Sequence, residues 1–135
     1  MQTKPKTPSE VFIAFNYPEL KDLGKHFLTI SSATAVLLVT FVEKFAGIPS
    51  STAPLLPMTN TLVKATLVAL LTSIIAAGTG LFTNYIAGAG ASGAIILGIG
   101  KNFRAFTRIT YVLYLIAGTC LMAAYVTLAA IGLLR

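Results

Sequence analysis

The longest stretch without a charged residue lies between Lys64 and Lys101 and reads ATLVALLTSIIAAGTGLFTNYIAGAGASGAIILGIG (residues 65–100). A transmembrane helix needs about 20 apolar residues to cross a hydrocarbon core about 30 Å thick. As one helix, this stretch would be about 54 Å long at 1.5 Å per residue, which is more than one span can use. It therefore predicts one transmembrane helix, over about residues 61–87. The remaining residues of the stretch, 88–100, are not part of that span.

The whole chain has the composition of an integral membrane protein. Only 10% of its 135 residues are charged and its mean hydropathy is +0.83, whereas a water-soluble domain carries about 25% charged residues. No Asp or Glu follows Glu43. The uncharged runs predict an all-α fold with three transmembrane helices, at about residues 27–46, 61–87 and 105–134.

Residues 88–100 are the remainder of the charge-free stretch and are rich in glycine. Non-helical backbone at membrane depth is tolerated only where protein covers it or where it lines water. We expect a surface turn and a short helical approach to the third span, with a fourth span only if this segment inserts. Residues 88–93 also match G-x-G-x-x-G. A dinucleotide site needs a preceding strand and a later acidic residue, whereas here a predicted transmembrane helix precedes the motif and no acidic residue follows it.

The first fifteen residues are expected to form a polar arm that ends in a short apolar patch, Val11–Phe15. Asn16 and Pro18 are typical of a helix start. Behind them, apolar residues recur at helical spacing opposite charged ones, which indicates an interfacial amphipathic helix leading into the first span. Residues 16–135 would then form a single helical membrane domain.

Small residues in the second predicted span are spaced four apart, so that they share a helix face and let another helix approach closely. We expect this face to carry the contact with another subunit. Asn84 either hydrogen-bonds to a neighbouring helix or marks the end of the span. The candidate helix-packing residues are Ala65, Ala69, Ser73, Ala77, Gly80, Asn84 and Gly88.

Basic residues and one histidine flank the predicted spans and are expected to anchor them at the interfaces. These anchors are Lys25, His26, Lys44, Lys101, Arg104 and Arg108. Seven of the ten basic residues fall on one side of a three-span topology. The positive-inside rule then places the N-terminus inside and the C-terminus outside a bacterial inner membrane. This distribution accounts for the net charge of +6, so nucleic acid is not an expected partner.

The chain offers few side chains for catalysis or metal binding. It has one histidine, one cysteine and four acidic residues, whereas catalysis needs a base, nucleophile or metal in mutual reach. We expect no enzymatic activity, no metal and no cofactor within one chain. His26 is interpreted as an interfacial residue, with ligation of a haem or pigment between subunits left open, and Cys120 as a small buried hydrophobe.

Two functions fit this pattern. The first is a small non-enzymatic membrane protein that acts as an oligomeric or accessory subunit of a membrane complex, with lipid and other membrane subunits or further copies of itself as partners. The alternative is a holin-like or channel-type pore, lined by serine and threonine stripes and gated by residues 88–100. No predicted span carries a charge that would mark an ion path.

Overall fold

The described residues fold into three long helices. The computed structural model describes residues 7–41, 61–93 and 102–133. Within these ranges it contains helices α1 (Pro8–Thr40), α2 (Thr61–Ala91) and α3 (Phe103–Leu133), and no strand. All three are long and apolar enough to cross a membrane, which confirms the predicted all-α fold with three candidate spans and points to a membrane location. The predicted end of the first span, residues 42–46, lies outside the described residues.

The first helix begins earlier than the sequence analysis expects. Thr7 Oγ1 accepts a hydrogen bond from the Glu10 N–H at 3.3 Å, and Glu10 Oε2 accepts one from the Thr7 N–H at 2.9 Å. This reciprocal pair is a capping box, and Pro8 occupies the first turn, where its missing N–H is harmless. The structure therefore differs from the expected polar arm from Pro8 onward, and Asn16 lies inside the helix rather than at its start.

A π-helical stretch, Phe12–Asn16, lies near the start of α1. Leu20 lies eight positions after Phe12, and both side chains are buried. In an uninterrupted α-helix, eight residues would leave the two side chains about 80° apart around the axis. The extra residue of the π turn brings them back to within about 20°. The segment therefore packs on the same side of α1 as the rest of the helix.

Helix α2 lies between the other two helices and runs antiparallel to both. Its first turns meet the end of α3 at Thr66 and Thr127, and its last turns meet α1 near Tyr17. Its buried face follows alternating steps of three and four residues, the 3.5-residue period of left-handed helix bundles. This inner face consists of Val63, Thr66, Leu70, Ser73, Ala77, Gly80, Asn84 and Ala87.

The charged residues gather at one end of the bundle, where α1 and α3 begin. The rings of Phe12 and Phe103 lie 5.6 Å apart there. Of the charged residues that the structure describes, only Lys64 lies at the other end. The remaining ones are Glu10, Glu19, Lys21, Asp22, Lys25, Arg104 and Arg108.

The length of the charge-free stretch follows from this arrangement. The last turns of α2 continue beside the charged start of α1, whose apolar residues Phe12 and Leu20 pack with Ala87 of α2. The helix ends in a turn at Gly93, whose φ of +83° is a left-handed conformation that favours glycine. Residues 88–91 are thus helical, the turn follows at 92–93, and the rest of the segment considered for a fourth span lies outside the described residues.

Candidate functional site

Buried hydroxyl groups join the three helices. Ser31 Oγ and Ser73 Oγ lie 2.8 Å apart, and Ser73 Oγ donates to the Ala117 carbonyl at 2.8 Å, so one residue of α2 connects α1 with α3. Interhelical hydrogen bonds of this kind stabilise membrane bundles by about 0.6 kcal/mol on average. Two further pairs connect α2 with α3: Thr66 with Thr127 at 2.7 Å and Thr83 with Thr110 at 2.8 Å.

Most of the predicted helix-packing residues are buried or partly buried between the helices of this single chain. Ser73, Ala77, Gly80 and Asn84 are buried, Ala69 and Gly88 are partly buried, and Ala65 is exposed. Ala65 differs from the buried residues because each step of four residues turns about 40° around the helix, so that a row spaced by four leaves the buried face. Alternating steps of three and four residues stay on one face. The buried members of the predicted face thus pack against α1 and α3 of the same chain.

The Tyr114 ring fills a slot between two glycines. A Cβ at Gly24 of α1 or at Gly80 of α2 would collide with this ring. The Phe27 ring lies 6.2 Å from it, centroid to centroid. Tyr114 is buried, and its hydroxyl has no hydrogen-bond partner among the described residues. The sequence contains no signal for this slot, because its three parts come from three separate helices.

Asn84 makes a contact between helices, which is one of the two alternatives left open by the sequence. Its Nδ2 donates to the Tyr17 carbonyl of α1 at 3.2 Å. Its Oδ1 is buried, and in the described part of the chain it accepts no hydrogen bond. Asn84 therefore bridges two helices inside the bundle rather than marking the end of a span.

The opposite side of α2 has a second regular face, which we call the outer face. Small residues occur on it every seven positions, and large apolar residues occur every seven positions between them. All six side chains are exposed, with Ile75 at 67%. The outer face consists of Ala65, Thr72 and Thr79 together with Val68, Ile75 and Phe82. The outer face could have been found in the sequence, because its residues follow one another at alternating steps of three and four positions.

In the described part of the chain, open grooves lie between α1 and α3 at two levels. The groove at the charged end has a volume of about 530 Å³ and is lined by Pro8, Val11, Phe12, Asn16, Phe103, Arg104, Thr107 and Arg108. The second lies deeper in the candidate spans, has a volume of about 520 Å³, and is almost entirely apolar. It is lined by Phe27, Tyr114, Leu115, Gly118, Thr119, Leu121 and Met122.

The predicted interfacial anchors that the structure describes are all exposed. Lys25 Nζ lies 4.0 Å from the Asp22 carboxylate, and His26 Nδ1 donates to the Asp22 carbonyl at 2.6 Å. Arg104 and Arg108 line the groove at the charged end. Lys44 and Lys101 lie outside the described residues.

The described side chains do not assemble into a recognisable reactive centre. In residues 7–41, 61–93 and 102–133, no group of three His, Cys, Asp or Glu side chains could hold a metal ion. Cys120 is a free thiol, half-buried on α3. The chain matches no family model, and comparisons with curated proteins and with solved structures gave no match either.

Proposed function

We propose that this chain is a small non-enzymatic membrane protein that acts as an oligomeric or accessory subunit of a membrane complex, with the outer face of α2 as its contact surface. The regular repeat of that face carries the proposal. Lipid chains adapt to any apolar surface and need no such order. A facing helix does, because its side chains insert between residues that recur every three and four positions.

The chemistry of the outer face also suits a helix as its partner. The Thr72 and Thr79 hydroxyls donate to the Val68 and Ile75 carbonyls of their own helix, each at 2.8 Å. Their polar hydrogens are thereby satisfied, which leaves small side chains between the larger Val68, Ile75 and Phe82. A second copy of the chain would offer the same alternation of small and large residues. A twofold homodimer is therefore the assembly that we expect first.

The pore hypothesis receives less support. The hydroxyls of Thr66, Ser73 and Thr83 bond to other helices within the chain. The exposed Thr119 donates to the carbonyls of its own helix. These hydroxyl groups already bond within one chain, and we therefore favour the subunit proposal over a pore between copies.

Disulfide cross-linking in native membranes tests the subunit proposal. In a Cys120→Ser background, Ile75→Cys should give a disulfide-linked dimer on oxidation, because a disulfide requires Cα atoms within about 7 Å. Val36→Cys is the matched control, since Val36 on α1 is exposed to 65% and Ile75 to 67%. Equal cross-linking of both variants would reflect random collision and would refute the outer face as an interface.

The same experiment separates a homo-oligomer from an accessory subunit. A dimer that also forms in the purified, reconstituted chain indicates self-association. An adduct of different mass that forms only in native membranes, through Ile75→Cys, indicates another subunit.

We also propose a bacterial inner membrane location with the N-terminus inside and the C-terminus outside. The support is the charge distribution, since Lys21, Lys25, Arg104 and Arg108 lie at the end where α1 and α3 begin and Lys64 lies at the other. A membrane-impermeant thiol reagent added to intact cells should label a cysteine appended after residue 135 and leave one at residue 2 unlabelled. The reverse pattern would invert the topology.

A further inference from the structure

The two grooves between α1 and α3 lie in line along one side of α3. Counted at 100° per residue, Arg104, Arg108, Leu115, Thr119 and Met122 fall within about 60° of one another around the helix. The first two line the groove at the charged end, and the other three line the apolar groove. We name the combined feature the α1/α3 groove, with a basic lobe and an apolar lobe.

We propose that the α1/α3 groove binds one anionic phospholipid lengthwise, with its phosphate at Arg104 and Arg108 and an acyl chain in the apolar lobe. The groove lies on a different side of the bundle from the outer face of α2. The inference therefore stands independently of the proposed function.

The length of the groove matches one leaflet. From Arg108 to Met122 the helix rises about 21 Å at 1.5 Å per residue. A bilayer with its headgroup regions is about 40–45 Å thick, so one leaflet is about 20–22 Å. A lipid with its phosphate at Arg108 would thus reach Met122 with the end of its acyl chain.

The charges of the basic lobe suit a phosphate. Arg104 and Arg108 are exposed, and neither forms an ion pair with a carboxylate in the described part of the chain. The nearby carboxylate of Glu10 accepts the Thr7 N–H in the capping box, and Glu10 does not line the groove. The N-terminus of α3 lies at the same lobe and contributes the positive end of its helix dipole.

The shape of the apolar lobe suits a hydrocarbon chain. Gly118 and Phe27 lie at its floor, where a Cβ on the glycine would come within 3.3 Å of the Phe27 ring. Leu115 and Met122 stand exposed beside it, with Leu115 at 68%. The Thr119 hydroxyl, which also lines this lobe, donates to the carbonyls of its own helix and presents no free proton to a lipid tail.

Native mass spectrometry of the full-length protein tests the proposal. The protein is purified in mixed micelles that contain phosphatidylglycerol and phosphatidylcholine in equal amounts and with identical acyl chains. We expect one phosphatidylglycerol to be retained in preference to phosphatidylcholine. Arg104→Gln with Arg108→Gln should lower that retention at least about fivefold, because each variant side chain loses the charge-assisted hydrogen bonds that a guanidinium donates to a phosphate.

Matched variants separate the groove from general surface charge. Lys21→Gln with Lys25→Gln removes the same charge from the same end of the bundle but outside the groove, and should leave retention unchanged. Thr119→Trp should obstruct the apolar lobe and lower retention as strongly as the arginine pair. Thr40→Trp, an exposed position on α1 away from the groove, should have no effect. Helical circular dichroism checks that each variant is folded.

Three results would overturn the proposal. Equal losses in the lysine and arginine pairs would show only attraction to an anionic surface. Retention that survives Thr119→Trp and is abolished by millimolar inorganic phosphate would show a phosphate site without an acyl chain. Loss of a co-purifying protein instead of a lipid in the arginine pair would show that the groove docks a protein.

Discussion

Helix α2 has two faces with the same period and different environments. On the inner face, small and hydroxyl-bearing residues such as Ser73 and Gly80 are buried against α1 and α3. On the outer face, Ala65 and Thr72 alternate with large side chains such as Ile75, and all are exposed. The comparison teaches that the 3.5-residue period marks a face that is able to pack against a helix. The size of the side chains that recur with this period sets the distance of the neighbouring helix.

Neighbouring positions on the two sides allow the comparison to be tested. Gly78 and Gly80 are two residues apart in the same helix, yet a Cβ at Gly78 meets no atom within 4 Å and one at Gly80 meets the Tyr114 ring. Thr72 and Ser73 are adjacent, one exposed and one buried. Each pair offers a substitution on the inner face with a control two residues away or at the next residue.

The largest expected effect is that of Gly80→Leu. The added side chain collides with the Tyr114 ring, and overpacking of this kind typically costs about 1–3 kcal/mol and occasionally more. We expect the free energy of unfolding, measured by SDS titration in mixed micelles, to fall by about 3 kcal/mol, because the collision is with a buried ring.

Two controls accompany Gly80→Leu. Gly78→Leu should leave the free energy of unfolding nearly unchanged, because its Cβ enters open space. Adding Tyr114→Ala to Gly80→Leu should restore part of the loss by emptying the slot. Equal destabilisation by the two leucine variants would show that the inner face is not packed as described.

The second effect is that of Ser73→Ala. This change removes the hydrogen bonds to Ser31 and to the Ala117 carbonyl. Interhelical hydrogen bonds in membranes contribute about 0.6 kcal/mol each on average, so we expect the free energy of unfolding to fall by about 1 kcal/mol. Hydrogen exchange of α1 amides near Ser31 should accelerate in the same variant.

The adjacent Thr72→Val keeps the side-chain volume and removes a hydroxyl that bonds only to its own helix. It should change the free energy of unfolding by less than about 0.5 kcal/mol. A loss as large as that of Ser73→Ala would mean that hydroxyl groups stabilise each helix alone rather than the contact between helices.

Much of the inner face could be predicted from the sequence, because small residues at helical spacing let another helix approach. Ser73, Ala77, Gly80 and Asn84 are buried as that argument requires. Ala65 is not, because a row of residues spaced by four winds around the helix by about 40° per step. The predicted use of the face, contact with another subunit, missed that α1 and α3 of the same chain already cover it.

Two other features show where sequence reasoning stops. The capping box of Thr7 and Glu10 was visible as a T-x-x-E pattern, but the polar composition of the first residues favoured an arm over a helix. The slot around Tyr114 had no such local signal. Its two glycines, Gly24 and Gly80, come from other helices and meet the ring only after the bundle has formed.

The smallest effect, and one of opposite sign, is expected for Tyr114→Phe. The two glycines accommodate the ring, whereas the hydroxyl is buried without a partner among the described residues. Removing a buried polar group that has no partner is neutral or stabilising, so we expect the free energy of unfolding to rise by up to about 1 kcal/mol. Tyr125→Phe on the same helix is the matched control: its hydroxyl lies 3.2 Å from Thr34 Oγ1, so the same change should lower stability slightly. If Tyr114→Phe is instead the more destabilising variant, its hydroxyl has a partner such as a bound water, and the inner face contains a polar contact in addition to its hydroxyl pairs.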